Sequence, residues 1–115
     1  MLEKLPHIKQ ELELTLRLRI KMKQDKITKE KLDKYFGVSE SALEIIKKNI
    51  IKGKEKEAKE IIEMAGNYIS DAHHFEKKED FVNAFAALNY AHGWIDSGVR
   101  LDVFQVEDDK LFTVK

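Results

Sequence analysis

The rhythm of apolar and polar positions changes along the chain, and each change predicts a different element. From Leu12 to Met22 the period is two: Leu12, Leu14, Leu16, Leu18, Ile20 and Met22 alternate with charged or polar residues. Such alternation predicts a strand with one apolar face. Eleven residues in that state would reach about 36 Å, so the strand would bend, overhang the domain or pair with another subunit. From Thr28 the spacing lengthens to three and four. Thr28 is placed as an N-cap, Leu32 with Tyr35 or Phe36 as the apolar side, and Gly37 as a C-terminal stop. Ser39 then caps a second, longer helix, with Val38 and Leu43 in staple positions, and Ser41 with Glu44 offers an alternative capping box one turn on. This part therefore predicts a short helix, a turn and a longer helix, closed by Gly53.

From Lys54 to Lys77 the pattern is a single helical stripe: Ala58, Ile61, Ile62, Ala65, Tyr68, Ile69, Ala72 and Phe75. "KKED" makes a tight connection with Asp80 as the next N-cap. The last helix, Phe81 to about Arg100, carries two adjoining stripes. One is Phe81, Phe85, Leu88, Ile95 and Val99; the other is Ala84, Ala87, Ala91, Trp94 and Gly98. Two stripes wedge a helix between neighbours, and small residues in one of them let backbones approach closely. In the tail, Val103 to Val106 and Leu111 to Val114 flank the turn-rich "EDDK" and predict a hairpin. Since an isolated hairpin is barely stable, the N-terminal strand is its natural partner. The expected architecture is mainly α: an up-down three-helix bundle with a short leading helix. A small antiparallel β element, made from the N-terminal strand and the C-terminal hairpin, joins it. All 115 residues form one domain: a strand region 1–24, a bundle core 28–101 and a hairpin 102–115.

Composition adds a cellular setting. Charged residues are 37% of the chain and cysteine is absent, a balance that fits a thermophile's cytoplasmic protein. No apolar run is long enough to span a membrane, and no signal peptide is expected. The chain is neutral overall but polar in its halves. Residues 1–57 hold 15 basic and 10 acidic residues, and residues 58–115 hold 6 and 11. A basic front and an acidic back suit head-to-tail self-association or a polyanion partner.

Three clusters are candidates for chemistry. In "NYAHGWIDSGVR", Asn89, His92, Asp96 and Arg100 share one polar edge at helical spacing, with His92–Asp96 and Asp96–Arg100 one turn apart. With Asp71 on the preceding helix, this edge could bind an anion or hold a proton-transfer pair, or fix the bundle's register. His73 and His74 are adjacent and diverge by about 100° on a helix, so they do not form a zinc pair. No metal or other cofactor is expected. The second cluster is the strand face Arg17, Arg19, Lys21 and Lys23, a polyanion stripe without the aromatic platforms that read single-stranded bases. The third is "LDKYFGVSESALEIIKKN", which has the outline of a DNA-reading helix-turn-helix. Its would-be recognition helix opens with Glu40 and Glu44, which suit phosphates poorly. No phosphate loop, dinucleotide-binding glycine pattern or nucleophile elbow is present.

"NYISDAHHFEKKEDFVNAFAALNYAHGWIDSGVRL" resembles the core of an archaeal family known as domain of unknown function 357. Tyr68, Asp71, Ala72 and Phe75 match its first motif. Tyr90, Ala91, Gly93, Trp94 and Asp96 match its second, and "LDKYFGVSESALE" fits its first helix. The resemblance covers Thr28 to Leu101. It implies a three-helix bundle, archaeal origin and no established activity. Where the family often has an interhelical glycine, this chain has Lys78 and Glu79, so that loop turns without glycine's freedom. The resulting expectation is a non-enzymatic interaction or scaffolding module that forms a homo-oligomer or binds a protein partner. The alternatives are a nucleic-acid accessory protein using Arg17, Arg19, Lys21 and Lys23, and a small-ligand or anion site, or an enzyme, at the His92 edge.

Overall fold

A computed structural model describes residues 26–108 and 111–112 of the chain. Three helices follow one another: α1 (Lys29–Lys47), α2 (Glu55–Lys77) and α3 (Phe81–Arg100). The antiparallel α2–α3 pair shares the most extensive interface, and α1 packs against both. The core is one cluster of Leu32, Phe36 and Ile46 from α1, Ile61 and Ile69 from α2, and Leu88, Ile95 and Val99 from α3, interleaved with alanines. The stripes expected on α2 and α3 are the buried faces. The predicted strand from Leu12 to Met22 lies outside the described residues, as do Arg17, Arg19, Lys21 and Lys23.

Two helix starts follow their sequence signals, while the helix expected to close at Gly53 ends at Lys47. The Thr28 side chain accepts from the Lys31 amide at 3.1 Å, and Asp80 accepts from the Asn83 amide at 3.2 Å. At the end of α1 the Ile45 carbonyl accepts twice, from the Lys48 N–H at 3.1 Å and from Asn49 Nδ2 at 2.7 Å. Residues 51–54 then turn on Gly53 at φ 94°, with the Lys54 amide donating to the Ile51 carbonyl at 2.9 Å. The ends of α2 and α3 share one device. Asp80 N–H donates to the Phe75 carbonyl and Glu79 N–H to the Glu76 carbonyl, each at 2.9 Å. Val103 N–H donates to the Gly98 carbonyl at 2.9 Å and Asp102 N–H to the Val99 carbonyl at 3.2 Å. Both are Schellman closures that place Glu79 (φ 60°) and Asp102 (φ 62°) in the left-handed region.

Two expectations are overturned. The first is the break at Gly37, for α1 runs unbroken through Gly37, Val38 and Ser39, so there is neither a separate short leading helix nor a helix-turn-helix. The reason lies in the buried face of α1: Leu32, Phe36, Ser39, Ala42 and Ile46 continue one stripe across the glycine. An exposed helical glycine costs only about 0.5–1 kcal/mol relative to alanine, while breaking the helix would throw that stripe out of phase.

The second is the antiparallel β element. Among the described residues there is no β-strand, only a single antiparallel bridge between Ile50 and Phe104. The β-prone tail is used as a strap. Ile51 N–H donates to the Val103 carbonyl and Gln105 N–H to the Asn49 carbonyl, each at 2.9 Å. The strap thus pairs with the α1–α2 connection. Val103, Phe104 and Phe112 are buried in the core cluster. Burying a side chain such as Phe104 contributes about 1.5–3 kcal/mol, which a two-stranded hairpin beside the bundle would forgo. Phe104 fits because Gly98 has no side chain: a Cβ there would stand 2.5 Å from Phe104 Cε2 and 2.9 Å from Ile61 Cδ1.

Candidate functional site

Asn89, His92, Asp96 and Arg100 all lie on α3. His92 and Asp96 are both about three-quarters buried, with Nε2 3.7 Å from Asp96 Oδ2. That is an ion-pair distance if the ring is protonated and too long for a good hydrogen bond. His92 Nδ1 is buried without a hydrogen-bond partner. Asn89 and Arg100 are exposed further round the same edge. Asp71 is exposed on α2, and no hydrogen bond or ion pair joins it to His92 among the described residues. The antiparallel register explains the separation. Tyr68 stacks on Tyr90 at 5.4 Å, so Asp71 is level with about Ala87, and His92 lies five residues on, or roughly 7.5 Å along the axis.

A second polar cluster clips α1 to α2. His73 stacks on Phe36 at 4.2 Å, and its Nε2 lies 2.8 Å from Glu40 Oε2. Glu76 Oε1 is 3.8 Å from His73 Nδ1, and Glu76 Oε2 accepts from Lys29 Nζ at 3.2 Å. The hydrogen bond to Glu76, with a second to Asp33, holds the Lys29 ammonium above the ordinary lysine pKa of 10.5. His74 points elsewhere, edge-on to Phe75. Among the described residues no group of three His, Cys, Asp or Glu side chains is placed to hold a metal ion, and no helix is long and apolar enough to cross a membrane.

The outer face of α3 has a different character. Of its exposed side chains only Arg100 is charged; the rest are Val82, Asn83, Asn89, Tyr90, Ser97 and the glycine at 93. In a chain that is 37% charged, that is a marked departure. Leu101, the C-cap, extends the face. Val82, Tyr90 and Leu101 are 67%, 64% and 71% exposed, and with Ile50 they are all of the exposed large apolar residues described. Midway along the face lies an open depression of about 390 Å³, lined by Asn89, Tyr90, Gly93, Trp94 and Ser97. Tyr90, Gly93, Trp94 and Ser97 stand at i, i+3, i+4 and i+7. Those are the four positions that bound the hole receiving a side-chain knob when helices pack. Gly93 deepens it, since nothing lies within 4 Å of where its Cβ would be.

Sequence reasoning placed Trp94 in a buried stripe and did not assign this face. A signal existed. Tyr90 and Gly93 belong to neither apolar stripe of α3, and uncharged residues recur at 82, 86, 90, 93, 97 and 101.

The fold defines a class: a small three-helix bundle closed by a C-terminal strap. Within it, the chain belongs to the family described as "Protein of unknown function (DUF357)", whose family model matches residues 34–104. No curated protein and no solved structure matches the chain. The matched span holds α2, α3, most of α1 and the strap as far as Phe104, and so includes the depression around Gly93.

Proposed function

We propose that this protein is a non-enzymatic interaction module that associates with a second copy of itself. The observation that carries the reading is the outer face of α3, where Val82, Leu101 and the solvent side of Tyr90, whose ring stacks on Tyr68, flank a helix-packing hole on a chain otherwise dense in charge. Val82, Tyr90 and Leu101 stand about 12 and 16 Å apart along the axis, with Ala86, Gly93 and Ser97 between them, so the face is a long uncharged strip of the kind a second helix can lie along. The His92 edge supports catalysis less well, because His92 Nε2 stands 3.7 Å from Asp96 Oδ2, too long for a good hydrogen bond. Sedimentation equilibrium of the full chain from low-micromolar to near-millimolar concentration tests the proposal. A mass that rises from one chain toward two is expected. A single-chain mass across the whole range would refute it.

A further inference from the structure

Resting on that reading of self-association, we infer that the copies meet through α3 packed antiparallel on α3, with Tyr90 of each copy seated in the Gly93 depression of the other. The geometry follows from the spacing of the face. Val82, Ala86 and Tyr90 on one side, and Gly93, Ser97 and Leu101 on the other, mirror each other about a point between Ala91 and His92. Turned end to end about a two-fold axis at that point, the face meets itself with Val82 against Leu101, Ala86 against Ser97 and Tyr90 against Gly93. Each copy thus offers a large residue where the other has a small one, a small pair at the seam and an apolar pair at each end. An isologous interface requires this self-complementarity.

Charge fits as well. The same operation sets Arg100 opposite Asn83, so no like charges face each other along the seam. Openness at Gly93 alone would decide nothing, for Gly37 and Gly66 are equally open. Gly93 differs in being ringed by Tyr90, Trp94 and Ser97. With 20 residues in α3, the contact strip is roughly 30 Å long and 10 Å wide. That is small beside the ~800 Å² that each partner contributes to a standard interface, so the association is reversible and depends on concentration.

Because the chain contains no cysteine, disulfide trapping tests the register directly. Ala86→Cys and Ser97→Cys are made separately in the full chain and oxidised alone and as an equal mixture. In the inferred register, position 86 faces position 97 of the other copy. Two copies of position 97 lie eleven residues apart, or roughly 16 Å along the axis, beyond the ~7 Å Cα separation a disulfide spans. The mixture is expected to yield the mixed dimer at least ~10-fold above either variant alone. Gly93→Leu, which fills the depression and improves helix propensity, is expected to weaken dimerisation at least ~10-fold while its helical circular dichroism stays intact. Trapping of like with like would mean a parallel or shifted packing and overturn the inference. So would a dimer that persists undiminished in Gly93→Leu, which leaves self-association standing but moves it to another surface. Absence of any mixed disulfide would also overturn it.

Discussion

Two glycines five residues apart on α3 have opposite surroundings, and substituting each by alanine separates them. At either site alanine removes the unfolded chain's extra freedom and gains about 0.5–1 kcal/mol in a helix. At Gly93 nothing lies within 4 Å of the added methyl group, so the whole gain is kept. At Gly98 the methyl group meets Phe104 Cε2 at 2.5 Å, Phe104 Cδ2 at 2.8 Å and Ile61 Cδ1 at 2.9 Å. The isoleucine methyl can swing aside, but the Phe104 ring is rigid and buried. It is also tethered by backbone hydrogen bonds on either side of it, from Val103 to Gly98 and from Gln105 to Asn49. Overpacking of this kind costs about 1–3 kcal/mol. Subtracting one variant from the other cancels the propensity gain and leaves that cost, so Gly98→Ala should unfold about 1–3 kcal/mol more readily than Gly93→Ala. Urea titration followed by circular dichroism measures it, at low protein concentration so that association does not add to stability. The m-value should be unchanged. Equal stability of the two variants would refute the claim that the strap is seated over Gly98.

Two further outcomes are expected from the same titration. Glu79→Gly should gain about 0.5 kcal/mol, because φ 60° costs an L-residue ~1 kcal/mol or more and glycine's own unfolded freedom returns part of the gain; a loss would mean the Glu79 side chain holds the loop. For Lys29, whose pKa is raised by its hydrogen bond to Glu76 and by Asp33, the stability difference between wild type and Lys29→Met should be fully present below pH 10.5. It should vanish as pH rises through the higher folded value, and a difference that survives at still higher pH would assign it to packing of the lysine stem.

The parts of the fold set by local pattern were legible. The stripes from Ala58 to Phe75 and from Phe81 to Val99 gave α2 and α3, and Asp80 gave the N-cap of α3; the glycine-free loop at Lys78–Glu79 suggested a different connection, and it closes as a regular Schellman turn with Glu79 at φ 60°. The two errors share a cause. Gly37 reads as a stop and Val103–Val106 as a strand by residue type, but both are decided by what the rest of the bundle offers. The stripe from Leu32 to Ile46 carries the helix through the glycine. The notch at Gly98 and the backbone of residues 49–51 give Phe104 a better place than a hairpin could. At the site, sequence alone put Asn89, His92, Asp96 and Arg100 on one edge of a helix; in the structure all four lie on α3, with His92 and Asp96 partly buried and Asn89 and Arg100 exposed. Sequence alone left Tyr90 and Gly93 outside both apolar stripes of α3 but did not join them to Val82, Ser97 and Leu101 as a face, because those residues differ too much in type to read as one pattern.

Gly98 and Gly93 also show why the outer face of α3 calls for an account of its own. Each glycine weakens the helix by about 0.5–1 kcal/mol relative to alanine. Gly98 is explained within the monomer, since Phe104 occupies the space a side chain would take. No contact among the described residues explains Gly93 in that way, and the side chains around it form a hole of the kind that receives a knob from another helix. The inner face uses a missing side chain to admit Phe104 from the strap. A packing in which the outer face uses another to admit Tyr90 from a second copy would put both glycines to the same use, and the mirrored spacing from Val82 to Leu101 supplies the register in which it can occur.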